Sequence, residues 1–109
     1  MKISVRDVGN AKVVEVEGDV DMGTSPAFRR TLFDALPHAA TVALNLHAIR
    51  YIDSSGIAIL IEVLKDAQRL NKKFVLFGLS SAVEQVFRLT HVMRIFQVFD
   101  TEQQATGSG

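Results

Sequence analysis

The stretch that decides the fold is Tyr51-Ile52-Asp53-Ser54-Ser55-Gly56-Ile57, which links a strand pattern to the longest helical pattern in the chain. Before it, over residues 41–46, apolar and more polar side chains alternate as in a half-buried strand. From the end of this stretch onward, over residues 55–70, apolar side chains recur at intervals of three and four, which predicts an amphipathic helix. A short polar loop between a strand and a helix is typical of a βαβ unit, so this stretch predicts an α/β fold.

Further strand and helix patterns lie on both sides of this stretch. Residues Lys2–Val8 and 12–17 alternate as strands around a Gly9-Asn10 turn, which predicts an antiparallel hairpin. The other predicted elements are a helix from Ser25-Pro26 to near Pro37, a strand over 74–77, a helix capped by Ser80 or Ser81, a strand over 95–99 and a helical turn over 101–105. The order β-β-α-β-α-β-α-β-(α) predicts a mixed sheet of four to five strands, in which parallel strands follow the hairpin.

Two details of the pattern refine this prediction. The second and third strands alternate instead of being apolar throughout, so we expect the helices mainly on one face of the sheet. At the first helix, Ser25 is expected to cap the free N–H groups and Pro26 suits the first helical position. Further along, Ser81 and Glu84 have the spacing of a capping box.

The composition indicates one ordinary globular domain. The chain has 109 residues, of which 48% are hydrophobic and 22% charged, enough for a core without disulfides or metals. We place the domain at residues 1–104 and expect a flexible tail at residues 105–109, which end in Gly-Ser-Gly. Twelve basic and twelve acidic side chains give a formal net charge of zero, which argues against binding to nucleic acid through bulk charge.

Several classes of site are excluded or disfavoured by residue types. The absence of cysteine excludes disulfides and thiolate-bound metals and is compatible with a reducing cytoplasm. The longest apolar run, residues 57–61, is far short of the roughly 20 residues of a membrane span, and the N-terminus resembles no signal peptide. The three histidines do not have the i, i+4 spacing of metal ligands on one helix, which disfavours a histidine metal site; they are His38, His47 and His91. We therefore expect a cytoplasmic protein without a metal or cofactor and without direct membrane insertion.

The Asp53-Ser54-Ser55-Gly56 segment places two hydroxyls beside the unpaired N–H groups of a helix start. These groups and the helix dipole favour negative charge, so a phosphate ester on a serine is electrostatically favourable there. Gly56 lets the backbone approach closely and leaves space beside the hydroxyls. The alternative interpretation is an ordinary capped helix, since these residue types are common at helix starts. Neither a phosphate-binding loop of the Gly-x-x-x-x-Gly-Lys type nor a Gly-x-Ser-x-Gly nucleophile motif occurs.

Four segments carry a resemblance to a known family. They are Val16-Glu17-Gly18-Asp19-Val20-Asp21, Val42-Ala43-Leu44-Asn45-Leu46, Tyr51-Ile52-Asp53-Ser54-Ser55-Gly56 and Gly78-Leu79-Ser80-Ser81-Ala82-Val83. The chain resembles the STAS domain family of sulphate transporters and anti-sigma factor antagonists, in particular the stand-alone bacterial antagonists. The resemblance covers residues 1–104, and its specific part is the Asp-Ser-Ser-Gly motif after an alternating strand. Ser81 stands where relatives often carry proline, which affects no functional residue.

The resemblance implies a phosphorylation-controlled regulator of transcription and not an enzyme. In antagonists of this type, the first serine of the motif, here Ser54, is phosphorylated by the anti-sigma factor, which is an ATP-dependent serine kinase. The unphosphorylated form binds that kinase and frees the sigma factor, and a PP2C-type phosphatase restores this form. The expected oligomeric state is a monomer or a weak dimer.

The resemblance also implies where the partner binds. Asp21 corresponds to the family's early acidic residue, and Asp53 is expected to shape the phosphorylation loop. The full set of expected partner-binding residues is Asp21, Met22, Thr24, Asp53, Ser55 and Gly56. Ser55 is a second possible acceptor of the phosphate, but we expect it mainly to cap the helix. Met22 is either an exposed contact residue or half-buried.

Other interpretations remain open at this point. The same domain is found as a regulatory subunit of ABC-type lipid transport systems and as a scaffold of stress-sensing complexes. The acidic residues Glu15, Glu17, Asp19 and Asp21 are either a solvated strand face or part of a docking surface for a basic patch on the kinase. Asp21 and Asp53 are both carboxylates, but without a histidine partner or a pocket we expect no general acid–base catalysis.

Overall fold

The structure, a computed structural model, describes residues 1–107, and these residues form one five-stranded sheet with four α-helices. The strands are β1 (Lys2–Val8), β2 (Ala11–Val20), β3 (Thr41–Ile52), β4 (Lys73–Phe77) and β5 (Gln97–Phe99). The helices are α1 (Ser25–Ala35), α2 (Ser54–Arg69), α3 (Ser81–Thr90) and α4 (Glu102–Thr106), with short 3₁₀ helices at Leu36–His38 and Met93–Ile95. The predicted α/β fold class is confirmed, and the differences lie at the ends of elements.

The sheet has the strand order β1-β2-β3-β4-β5, so each strand lies beside its neighbours in sequence. The first pair is antiparallel, and the other three pairs are parallel. Gly9 has a positive φ of 60° in the two-residue turn between β1 and β2, a conformation that glycine adopts without strain. The mixed sheet with an N-terminal hairpin is therefore confirmed.

The strands β2 and β3 run further than the sequence predicts, by several residues at their carboxyl ends. Their extensions pair with each other, but the register shifts between Glu15 and Glu17 and again between Gly18 and Asp19. Such irregularities break the two-residue alternation from which a strand is recognised. With its extension, β3 ends at Ile52, and Asp53 follows the strand directly.

Three of the helices cover one face of the sheet, as predicted. Alternate strand residues such as Val14, Leu44 and Leu76 form one core with buried side chains of α1, α2 and α3. At the far end of this core the Phe87 and Phe96 rings stack with their centroids 5.9 Å apart. The burial of these apolar side chains is the main favourable contribution to the stability of the fold.

The short helix α4 packs on the opposite face of the sheet. Its Ala105 is buried in a second, smaller cluster whose other buried members are Val13, Ala43, Val75 and Phe77. The sequence places the end of the domain at residue 104, whereas α4 continues to Thr106. The part of the predicted tail at residues 108 and 109 lies outside the described residues. Among residues 1–107, no helix has the length and apolar character required to cross a membrane.

The starts of two helices differ from the prediction. The N-cap of α1 is Thr24 and not Ser25, and its side chain makes no capping bond; the Ser25 hydroxyl instead donates to the Met22 carbonyl over 3.4 Å. Pro26 is the second residue of α1, and its ring fixes its φ near the helical value, which favours a helix start at this point. At α3 the cap is Ser80, whose Oγ accepts from the Val83 N–H at 3.2 Å. Ser80 and not Ser81 is therefore the N-cap, and the capping box predicted for Ser81 and Glu84 is wrong.

Candidate functional site

The loops that follow β2 and β3 lie side by side at the carboxyl edge of the sheet. Val20 and Ile52, the last residues of the two strands, are paired in register. The Asp53 N–H then donates to the Val20 carbonyl over 3.2 Å, which extends the pairing by one bond. The first loop, residues 21–24, is called here the Asp21 loop. The second segment, Asp53 with the first three residues of α2 (residues 53–56), is called the Asp53 loop. The two predicted acidic residues therefore belong to adjacent loops.

Asp53 is the N-cap of α2. Its Oδ1 accepts from the Ser55 N–H at 2.9 Å and from the Gly56 N–H at 3.4 Å. The Ser55 hydroxyl donates to the same oxygen at 2.5 Å. These hydrogen bonds, the Ser55 hydroxyl first among them, lower the pKa of Asp53 below its ordinary value. The capping role expected of Ser55 thus falls to Asp53, and Ser55 orients the carboxylate.

Ser54 differs from Ser55 in its surroundings. Its side chain is exposed, and within residues 1–107 its hydroxyl makes no hydrogen bond. Ser55 is half-buried, and its hydroxyl is engaged by Asp53. The local residue pattern does not separate the two neighbouring serines, and only the resemblance to the family singles out Ser54. The tertiary structure leaves one hydroxyl available at the surface and holds the other.

The electrostatics of this helix start are less simple than the sequence suggests. Helix N–H groups that a phosphate could approach, those of Ser55 and Gly56, already donate to the Asp53 carboxylate. A phosphate on Ser54 would therefore sit beside an existing negative charge instead of filling an empty anion site. Asp53 therefore offsets part of the favourable field that the helix N-terminus offers to a phosphate on Ser54.

Gly56 is buried, and its role is steric. An added Cβ would lie 2.7 Å from Cγ1 of Ile52 and 2.9 Å from Cγ1 of Val20. Both distances are shorter than real carbon contacts, so α2 can begin against the ends of β2 and β3 only because residue 56 has no side chain. The space expected beside the hydroxyls is filled by the core side chains of Ile52 and Val20.

The Asp21 loop is fixed by hydrogen bonds of its own. Asp21 Oδ1 accepts from the N–H groups of Gly23 at 2.9 Å and Thr24 at 3.0 Å. The Thr24 hydroxyl accepts from the Asp21 N–H at 2.9 Å and donates to the Asp19 carbonyl at 2.9 Å. Asp21 and Thr24 are half-buried, so both act mainly by shaping the loop, whereas Met22 between them projects outward.

Two large apolar side chains at this edge are exposed. Met22 is 79% exposed, which decides between the two interpretations of this residue in favour of a surface position. Tyr51, the single tyrosine of the chain, is 51% exposed and immediately precedes Ile52. Tyr51 is not among the predicted contact residues, because in the sequence it belongs to the motif that marks the loop. The feature that distinguishes Tyr51 is an aromatic side chain near the end of β3, where the register of the β2–β3 pairing is irregular.

Three of the four acidic residues at positions 15, 17, 19 and 21 are engaged within the chain. Arg6 donates to Glu15 at 2.7 Å, and Arg50 lies 4.0 Å from Asp19. Glu17 is exposed, and Asp21 is used by its own loop. This arrangement favours a solvated strand face over a continuous acidic docking surface. In the part of the chain that the structure describes, no group of three or more His, Asp or Glu side chains could hold a metal ion.

The fold and the site together define a small α/β domain with one mixed sheet, which presents an exposed serine at the start of α2 beside the loop that follows β2. The chain belongs to the STAS domain family, whose model matches residues 2–105.

Similar proteins agree with this assignment. The anti-sigma-B factor antagonist of Listeria monocytogenes is 24% identical over 109 residues, which cover 99% of this chain and 95% of the relative. An anti-sigma factor antagonist from Mycobacterium paratuberculosis has a crystal structure similar to this fold, with a TM-score of 0.88 and 22% identity over 98% of this chain and 92% of that one.

A further similar structure is that of the anti-sigma factor antagonist SpoIIAA. Its unphosphorylated form has a TM-score of 0.81 and 18% identity over 98% of this chain and 95% of that chain. The phosphorylated form of the Bacillus cell fate determinant SpoIIAA has a TM-score of 0.74 and 17% identity over 98% of both chains. At these identities the structural similarity concerns the fold.

Proposed function

We propose that this chain is an anti-sigma factor antagonist, which in its unphosphorylated form binds an anti-sigma factor serine kinase and frees a sigma factor. Membership of the STAS family and the names of the similar proteins support this class of function. We propose Ser54 as the phosphorylated residue. The observation that carries this assignment is the contrast between two neighbouring hydroxyls, of which Ser54 is exposed and unengaged and Ser55 is held by Asp53.

The residues around Ser54 divide into two groups in this proposal. Met22 is exposed and supplies apolar contact area to the kinase, and Tyr51 joins it as a contact residue. Asp21, Thr24, Asp53 and Ser55 hold the two loops in shape, and Gly56 lets α2 begin where it does. Substitutions in the first group should weaken kinase binding without changing the fold. Substitutions in the second group should weaken kinase binding and also change the fold.

Phosphorylation then acts through charge and bulk. The Ser54 Oγ would attack the terminal phosphorus of ATP, ADP would leave, and the hydroxyl proton would pass to a base of the kinase. The product carries about −1.5 to −2 charges at neutral pH, next to Asp53 and in the middle of the contact surface. Removing such a charge from water without a cation to pair with it weakens binding strongly. A PP2C-type phosphatase would restore the binding form by hydrolysis.

The decisive experiment incubates the chain with the cognate kinase and ATP, in the cytoplasmic conditions in which we propose it acts. The intact mass should rise by one phosphate in the wild type and in Ser55→Ala, and should not rise in Ser54→Ala. Ser54→Ala should still bind the kinase, whereas Ser54→Asp should bind at least about 30-fold more weakly. Phosphate on Ser55 instead of Ser54 would overturn the site assignment.

Co-purification tests the partner class independently of the site. A tagged wild-type chain should retain an anti-sigma factor kinase from its native cell extract, and Ser54→Asp should retain much less. Recovery of a transport ATPase in place of the kinase would replace the proposal with the regulatory subunit of an ABC-type lipid transport system.

A further inference from the structure

The outer edge of β1 is the longer of the two open edges of the sheet. β1 lies at one end of the strand order and has β2 as its only neighbour among the described residues, and β5, at the other end, has three residues. β1 has seven residues, and Val5 at its centre is 42% exposed. Unpaired N–H and C=O groups on a strand of this length are a template for pairing with another strand.

The turn between β1 and β2 determines which peptide groups point outward. Val8 and Ala11 are paired across the two-residue turn, and residues that flank such a turn exchange both of their hydrogen bonds. Hydrogen-bonded pairs recur at every second residue of an antiparallel ladder. The outward-pointing groups of β1 are therefore those of Ile3, Val5 and Asp7, which lie symmetrically about Val5.

We propose that the chain forms a symmetric dimer in which β1 pairs antiparallel with β1 of a second copy, about a two-fold axis at Val5. Val5 pairs with Val5 of the second copy, and Ile3 with its Asp7. Each of these pairs can exchange two backbone hydrogen bonds, since all three residues present both groups outward. The two sheets join into one, with α1, α2 and α3 of both copies on the same side.

The number of backbone hydrogen bonds selects this register over its neighbours. A register that keeps both faces matched can shift only by two residues at a time. One such shift pairs Val5 with Asp7 of the second copy and the other pairs Ile3 with Val5, so each keeps two of the three hydrogen-bonded pairs within β1. The first shift also sets Arg6 and its carboxylate partners opposite the same group of the second copy, which brings like charge together.

The charged residues of β1 do not otherwise oppose pairing. Arg6 is held by Glu15 and Glu102 in its own chain, and Asp7 by Lys12 at 2.6 Å. The Arg6 group with its two carboxylates has one excess negative charge. Lys2, which has no ion pair within residues 1–107, lies diagonally across from Arg6 of the second copy and offsets that charge.

The packing of α1 leaves room for the second copy. This helix contacts both β1 and β2, so its axis lies about one strand spacing from the dimer axis. The two copies of α1 would then be about 10 Å apart, which is an ordinary distance between packed helices. A single strand from each copy makes a small interface, so the dimer should be weak and dependent on concentration.

Sedimentation equilibrium or light scattering over a range of concentrations tests this proposal. The average mass of the wild type should rise towards twice the monomer mass. Val5→Pro removes an N–H that β2 does not use, so it should keep the fold by circular dichroism and weaken self-association by at least about tenfold. Val5→Thr, the matched control, keeps the N–H and should associate like the wild type. A wild type that stays monomeric, or a Val5→Pro variant that dimerises as Val5→Thr does, would overturn the proposal.

Cross-linking checks the register even if Val5→Pro does not fold. The chain has no cysteine, so single cysteines report cleanly. Opposed residues of a hydrogen-bonded pair have Cα atoms about 5.5 Å apart, within the reach of a disulfide. Val5→Cys should form an intermolecular disulfide faster than Ser4→Cys. The reverse order would overturn the proposed register. Ser54→Ala should leave self-association unchanged, which separates this proposal from the function assigned to Ser54.

Discussion

The Ser55 hydroxyl donates to Oδ1 of Asp53 over 2.5 Å, so two residues of the same loop hold the start of α2 together. The same carboxylate oxygen accepts two backbone N–H groups of the helix. This relationship engages Ser55 and leaves Ser54 exposed. It therefore connects the stability of the helix start to the choice of the serine that a kinase can reach.

Replacing Asp53 by alanine should destabilise the protein through loss of the N-cap. The variant leaves two helix N–H groups without their acceptor, and we expect Tm to fall by roughly 4–8 °C. Asp53→Asn is the matched control, because asparagine is also a good N-cap and should lower Tm much less. Thermal unfolding by circular dichroism measures both. Equal losses in the two variants would show that the charge, and not the cap, is what matters.

The stability that Asp53 contributes should depend on pH. Because its pKa in the folded protein is lower than in the unfolded chain, the contribution is fully present above the unfolded value of about 3.9. It is lost as the pH falls through the lower, folded value. Wild type and Asp53→Asn should therefore differ most at neutral pH and converge as the pH falls below about 4. Urea unfolding at a series of pH values measures the difference, which should not grow on acidification.

Gly56→Ala should destabilise the fold even though alanine favours helices. The gain in helix propensity is about 1 kcal/mol, but the new methyl group would overlap Ile52 and Val20, and overpacking costs about 1–3 kcal/mol. Ile52→Ala removes the closer contact. In a double-mutant cycle, Gly56→Ala should therefore be less destabilising in the Ile52→Ala background than in the wild type. Additive effects would contradict the steric explanation.

Phe87→Ala should cause a large loss of stability. Phe87 is fully buried in the main core and stacks on Phe96, so its truncation should cost about 3–5 kcal/mol. Leu89 lies on the same helix but is 73% exposed, and Leu89→Ala should change the stability by no more than about 0.5 kcal/mol. Chemical denaturation of the two variants gives the comparison. A similar cost for both would mean that α3 is not oriented as described.

The docking of α4 should depend on Ala105 more than on the ion pair of Glu102. Ala105→Glu places a charge in the buried cluster with Val13 and should lower the stability by roughly 0.5–3 kcal/mol. Gln103→Glu adds the same charge on an exposed part of the helix and should have little effect. Glu102→Gln removes a partly exposed ion pair with Arg6, which is worth under about 1 kcal/mol.

Hydrogen exchange of the α4 amides locates these effects. Protection should be lost in Ala105→Glu and kept in Gln103→Glu. If protection is lost equally in Glu102→Gln, the ion pair and not the buried alanine holds the helix.

Local patterns in the sequence determined the order of elements and the position of the loop between β3 and α2. Alternation and helical spacing act over short distances, so the hairpin and the amphipathic helix after Asp53 could be predicted from neighbouring residues alone. The resemblance to the STAS family rested on the same local segments. The family match over residues 2–105 bears it out.

The tertiary structure decided the features that depend on residues far apart in the chain. The extensions of β2 and β3 follow from their mutual pairing, whose register shifts hide the strand pattern. The buried position of Gly56 depends on the side chains of Val20 and Ile52. The availability of Ser54 also depends on the folded Asp53 loop. Two adjacent serines have the same local pattern, but in the structure Ser54 is exposed, whereas Ser55 is half-buried and its hydroxyl donates to Asp53.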